Sequence, residues 1–112
     1  MDSSKFESIA LARIRECMEL MTYMKGPEYS RDGDRLSNFK RAGELQKVTP
    51  EVALLGMMSK HLASIIDIIH DLDGDRPVKL GQLQEKITNT INYLLLLEGL
   101  AEERCESMWL ES

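Results

Sequence analysis

The stretch Thr49-Pro50-Glu51-Val52-Ala53-Leu54-Leu55-Gly56-Met57-Met58-Ser59-Lys60-His61-Leu62-Ala63-Ser64-Ile65-Ile66-Asp67-Ile68-Ile69-His70-Asp71-Leu72 decides the fold of this chain. Thr49 is suited to cap a helix. Pro50 fits the first helical position, where its missing N–H costs nothing, and Glu51 lies beside the positive end of the helix dipole. From Pro50 to about Leu72 the apolar residues recur at helical spacing on two faces. Leu55, Met58, Leu62, Ile65, Ile69 and Leu72 form one stripe; Leu54, Met57, Ile66 and Ile68 supply the other. A helix apolar most of the way round is central or lies against a partner chain. In a chain of 112 residues this points to an oligomer.

Working outward, three more helices are predicted. The first runs from about Ser4 to Lys25, with Phe6, Ile9, Ala10, Arg13, Cys17, Leu20, Met21 and Met24 near helical spacing, and Gly26-Pro27 ends it. A polar loop from Glu28 to Arg35 leads to a short helix, Asn38 to Gln46, with Ser37 as its cap. After the turn Asp73-Gly74-Asp75-Arg76-Pro77, the fourth helix runs from about Leu80 to Ser107, carrying Leu83, Ile87, Ile91, Leu94, Leu95 and Leu97. The apolar tail Met108-Trp109-Leu110 is placed to fold back on the core or onto a partner. No stretch alternates apolar with polar residues as a strand would. The expected fold is all-α: one domain, residues 1–112, a bundle of about four helices.

Composition narrows the function classes. Hydrophobic residues make up 43% and charged residues 29%, which suits a folded globular chain. A net charge of −5 argues against general nucleic-acid binding. No uninterrupted apolar run approaches the ~20 residues of a membrane span; the longest is Leu94-Leu95-Leu96-Leu97. The N-terminus lacks the layout of a secretion signal, and Cys17 and Cys105 form no CxxC pair, so reduced thiols in the cytoplasm are expected. Asp71-Leu72-Asp73-Gly74-Asp75 is not a calcium loop, because glycine comes too early and Gln82 stands where the bidentate Glu is needed. His61 and His70 are not at metal-pair spacing.

The polar residues inside apolar stripes are the functional candidates. Lys60 and His61 interrupt the third helix; Thr88, Asn89 and Asn92 interrupt the fourth, with Glu85 and Lys86 one turn before. A buried Asn or Lys needs partners. Two readings stay open. These residues either hydrogen-bond across a dimer seam and fix its register, or they line a pocket between the third and fourth helices formed by Lys60, His61, Lys86, Asn89 and Asn92. Asn38, Phe39, Lys40 and Arg41 open the short second helix, whose N–H groups and dipole favour an anion.

Several of these segments together resemble small phage proteins of the nucleotide modification-associated kind. They are Glu28-Tyr29-Ser30, Asp34-Arg35-Leu36-Ser37-Asn38-Phe39-Lys40, Ala53 through Met58-Ser59-Lys60-His61, and Ile87-Thr88-Asn89-Thr90-Ile91-Asn92-Tyr93-Leu94. That group is similar to the MazG-type all-α nucleotide pyrophosphohydrolases. The resemblance implies a Glu-x-x-Asp pair before the tyrosine of the fourth helix, where Lys86 and Asn89 stand here. It implies Glu-x-x-Glu on the preceding helix, near Lys60 or His61 and Ser64. In the enzymes such carboxylates hold Mg²⁺ against the triphosphate. A shift of one residue places Glu85 at one ligand position, and Glu16-x-x-Glu19 keeps the spacing but lies too early.

A lysine in place of a bound cation still attracts phosphate but activates no water. The expectation is therefore a phage-type cytoplasmic homo-oligomer that binds or sequesters a nucleotide or nucleotide-derived signal of host immunity, without metal, cofactor or catalytic residue. Lys60, His61 and Lys86 would meet phosphate, Asn89 and Asn92 sugar or base, and Asn38 with Lys40 would close the site. Two alternatives remain: a Mg²⁺-dependent pyrophosphohydrolase using Glu85, Asp67 or the Glu16/Glu19 pair, and a helical interaction module with adaptable Met-rich faces.

Overall fold

Every helix leaves backbone groups unpaired at its ends, and the side chains that take them over set the boundaries here. The computed structural model describes residues 1–24 and 33–108. Helix α1 spans Ser3–Glu19, α2 Ser37–Gln46, α3 Pro50–Asp73 and α4 Leu80–Met108. Asp2 caps α1, its carboxylate accepting from the Lys5 N–H at 2.8 Å. Thr49 caps α3 as the sequence predicts, its hydroxyl accepting from the Val52 N–H at 3.3 Å with Pro50 at the first position. At the far end the Arg76 guanidinium donates to the His70 carbonyl at 2.9 Å and to the Asp71 carboxylate at 3.0 Å. Those bonds close α3 where the predicted turn begins.

Two boundaries differ from expectation. The α-helical part of α1 stops at Glu19 and continues as a π-helical turn, Leu20–Met24. Ser37 is not the cap of α2 but its first residue; Leu36 occupies the cap position with no side-chain bond. Asp34 takes over instead, its carboxylate accepting from the Leu36 N–H at 2.9 Å and its carbonyl from the Ser37 N–H at 3.2 Å. The predicted stop at Gly26-Pro27, residues 28–32 of the polar loop, and the tail residues Trp109 and Leu110 lie outside the described residues.

The turn between α2 and α3 is tight. Lys47 adopts the left-handed conformation (φ 58°), and the Val48 N–H reaches back to the Gly43 carbonyl at 2.9 Å, a Schellman closure. Gly43 is buried because a side chain there would meet the Val48 carbonyl oxygen at 2.8 Å.

These helices form an all-α four-helix bundle: α4 packs along α3, α2 lies on α3, and α1 lies on α4. Glu51 at the start of α3 meets Arg104 near the end of α4, so the two long helices run antiparallel. The core is Leu36, Phe39, Leu54, Met58 and Leu100, with Met57, Tyr93, Leu96 and Leu97 packed against it. Leu54 is 0% exposed; full burial of such a side chain stabilises by about 1.5–3 kcal/mol. Of the predicted stripe Leu55 to Leu72, Met58 is the buried member, while Leu55, Leu62, Ile69 and Leu72 face outward. Leu94 and Leu95 of α4 also face outward, because Thr88, Asn92 and Leu100 take the inner face.

Polar contacts hold the bundle's outer joints. The Arg104 guanidinium donates two bonds to the Glu51 carboxylate, at 2.5 and 2.7 Å. Cys17 is buried as predicted, and its thiol faces the Thr88 carbonyl at 3.8 Å. Burial pushes that thiol's pKa up, away from the reactive thiolate. The Thr88 hydroxyl donates to the Gln84 carbonyl at 2.9 Å and accepts from Arg13 at 3.0 Å, fastening α1 to α4.

Candidate functional site

Where α2, α3 and α4 diverge below the π-helical turn, a cavity of about 390 Å³ opens. Its polar lining is Arg35, Asn38, His61, Asn89, Asn92 and Tyr93; Met21, Phe39, Met57 and Leu96 complete the wall. The helical period explains how these residues meet. Asn89, Asn92, Tyr93 and Leu96 stand at i, i+3, i+4 and i+7 on α4, facing Met57 and His61 at i and i+4 on α3. Asn38 and Phe39 come from the first turn of α2, and Arg35 from the residues just before it.

The cavity is aromatic on one side. Phe39 and Tyr93 meet edge to face, ring centroids 6.3 Å apart at 72°. His61 lies tilted against Tyr93, at 5.5 Å and 36°. Such packing fixes the tyrosine ring as a rigid wall. Asn92 is only 7% exposed, and among the described residues its Oδ1 is buried with no hydrogen-bond partner. An amide oxygen left unpaired in a fold costs about 1–3 kcal/mol, and Asn92 is one of the residues that line the cavity.

Of the residues singled out in the sequence, Asn38, His61, Asn89 and Asn92 share this cavity; Lys40, Lys60 and Lys86 do not line it. Lys60 is one residue from His61, which turns it about 100° round the helix into solvent. Lys86 stands one turn before Asn89, the first residue of α4 in the lining. Lys40 is engaged elsewhere, with Asp34 and Glu103 both at 2.6 Å. Its partners hold its pKa above the ordinary lysine value, Asp34 first, and Lys40 in turn is the main cause that holds the Asp34 carboxyl below its own. The anion expected at the start of α2 is thus supplied by the chain itself: the Asp34 carboxylate sits on the Leu36 N–H and on Lys40.

Among the described residues the arginine or lysine at the cavity is Arg35, which no periodic pattern in the sequence marks. It lies in a turn without periodicity, and its spacing of three from Asn38 was the available signal. Tyr93 and Leu96 were reachable by extending the Asn89/Asn92 stripe by one turn. The carboxylates of the hydrolase alternative lie apart: Glu85 and Asp67 are exposed, and Glu16 and Glu19 line a separate shallow depression on α1 with Arg15. Among the described residues no carboxylate lines the cavity between α2, α3 and α4, and no group of three or more His, Cys, Asp or Glu is placed to hold a metal ion. Compared with known proteins, the chain matches no family model, no curated protein and no solved structure.

Proposed function

We propose that this cavity binds a nucleotide-type molecule, one planar heterocycle bearing a single phosphate-like group, and holds it without chemical change. The observation that carries the reading is the buried Asn92 amide, its oxygen unpaired among the described residues, set beside the Tyr93 ring. An exocyclic amine of a base donates to such an oxygen. The amides of Asn89 and Asn38 offer both donors and acceptors to the rest of a base or sugar. A volume near 390 Å³ falls within the range of small-molecule sites.

Charge limits the ligand. A triphosphate needs a metal or several cations to meet it, whereas among the described residues Arg35 is the arginine or lysine in the lining. A single phosphate or a phosphodiester suits one guanidinium. Among the described residues the wall offers no carboxylate to act as general base or to hold a metal, which favours retention over hydrolysis. In the phage setting that the sequence resemblance implies, with a MazG-type helical architecture, such a protein works by sequestering a nucleotide signal of host immunity.

Calorimetric titration with nucleoside 5′-monophosphates and cyclic mononucleotides tests the proposal. Binding is expected for at least one of them, weakened about tenfold or more by Asn92→Leu and by Arg35→Ala. Equal affinity for ribose phosphate without a base would refute base recognition. Release of pyrophosphate from a nucleoside triphosphate on adding Mg²⁺ would replace the proposal with the hydrolase alternative.

A further inference from the structure

Helix α3 carries a second apolar face that the bundle does not cover. Val52, Leu55, Leu62, Ile66 and Ile69 are 51%, 54%, 37%, 50% and 53% exposed. Their positions follow a 3-4 repeat in which Ser59 fills the remaining place, the pattern of a two-helix seam. Exposed Gly56 and Ala63 flank the middle of this face, so another helix can approach closely there.

The chain exposes more surface than a typical folded monomer of its mass. Its accessible area is 8274 Å² for a mass of 12.8 kDa, whereas a folded monomer of that mass exposes about 6300 Å². The radius of gyration is 16.5 Å, against about 13 Å for a globular chain of this length. The excess, roughly 2000 Å², falls in the range of about 1000–2500 Å² that each subunit contributes to an obligate interface. On α1, Phe6, Leu11, Ile14 and Met18 are also more than half exposed and contribute to that excess.

We infer that a second copy of this chain covers the exposed face of α3. The two-fold axis crosses the helix between Lys60 and His61, so the two α3 helices run antiparallel. In this register Val52 faces Ile69 of the partner subunit, Leu55 faces Ile66 of the partner subunit, and Ser59 faces Leu62 of the partner subunit. Every large side chain but Leu62 meets another large one, and the small Ser59 makes room for Leu62. The set closes on itself, as an isologous interface requires. Charge selects this direction. The C-terminal half of α3 carries Asp67, Asp71 and Asp73, which a parallel pair would stack on their own copies. The antiparallel pair sets Asp67 and Asp71 near the first turn of the other α3, whose carboxylate, Glu51, is already held by Arg104, and it opposes the helix dipoles favourably. The opposite side of α3, with Ala53, Leu54 and Met58, is already committed to the core.

The competing occupant is lipid, because α3 has 24 residues and holds an 18-residue window of mean hydropathy 1.6, long and apolar enough by length and composition to cross a membrane. Sedimentation equilibrium of the intact chain at micromolar concentration, with flotation on phosphatidylcholine–phosphatidylglycerol vesicles, separates the cases. A mass at least twice 12.8 kDa is expected, falling by half with Leu55→Glu or Ile66→Glu while helical circular dichroism is retained. The double variant Leu55→Glu/Ile66→Lys should recover the assembly, because only the antiparallel register brings the two introduced charges together. If the charged variants unfold, Leu55→Gln/Ile66→Gln tests the same face with neutral groups. A monomeric intact chain, an assembly unaffected by these substitutions, failure of the double variant to reassociate, or flotation with vesicles would each overturn the inference.

Discussion

Replacing Asn92 by leucine should make the protein more stable while destroying its proposed function. Asn92 is 7% exposed, and its Oδ1 has no hydrogen-bond partner among the described residues. The folded state therefore carries the desolvation cost of that oxygen, about 1–3 kcal/mol. Leucine has a similar length, and the cavity beside it, walled by Met57 and Leu96, accommodates the extra volume. Removing the penalty and adding apolar contact should gain about 1–2 kcal/mol, or a Tm rise of about 3–6 °C per kcal/mol for a domain of this size. Thr88 supplies the control from the same helix. It is 1% exposed, yet its hydroxyl is fully engaged, donating to Gln84 and accepting from Arg13. Thr88→Val should therefore shift stability the opposite way, losing about 1–2 kcal/mol by stranding part of the Arg13 guanidinium. Urea titration followed by circular dichroism reads both variants. A loss of stability in Asn92→Leu would show that the fold itself uses the amide, and the argument for an open ligand acceptor would fall with it.

Other expectations test the frame that holds the cavity. Gly43→Ala, which raises helix propensity by up to about 1 kcal/mol, should nevertheless destabilise by about 1–3 kcal/mol, because the new Cβ meets the Val48 carbonyl oxygen at 2.8 Å; an unchanged or raised Tm would contradict the tight α2–α3 turn. Stability should also fall in acid. Arg104 holds the Glu51 carboxyl below its ordinary 4.5, and Lys40 holds the Asp34 carboxyl below 3.8. The unfolded state then binds more protons than the folded one, so this contribution is complete above those ordinary values and is lost as pH falls through the depressed folded ones. Both pairs are partly exposed to solvent, so screening limits the effect. Melts at pH 6 and pH 3 should show the loss shrinking in Glu51→Gln; an equal loss would remove Glu51 from the account.

The parts of the fold that were legible in the sequence depend on local chemistry. Thr49-Pro50 announces the start of α3 because capping and proline tolerance are decided within four residues, and Cys17 reads as core from its place on an apolar stripe. The side of α3 that would be inside was harder to read. Leu54 and Leu55 are equally apolar neighbours, yet one is 0% exposed and the other 54%; only the positions of α2 and α4 distinguish them. The candidate site divides similarly. Asn89 and Asn92 stand out because an amide within an apolar stripe needs a reason. Lys60 and Lys86 drew attention for their charge, which says nothing about the direction a side chain takes. Asp34 could be placed on Lys40 and the start of α2 only once the turn geometry was known.

That self-made ion pair has consequences for how a ligand would sit. Asp34 occupies the start of α2 and holds Lys40, so on the proposed reading a phosphate would meet exposed Arg35 instead. The buried Asn92 amide and the Tyr93 ring lie at the opposite, inner end of the gradient in exposure. A nucleotide would therefore enter base first, with its phosphate left near water. A cation at a solvent-facing rim mainly raises the rate of capture and is weakened by salt, whereas a desolvated hydrogen bond mainly slows escape. Retention would thus rest on the inner amide and ring. On the proposed reading, the residue whose buried oxygen is unpaired among the described residues would be the one that decides how long a ligand is held.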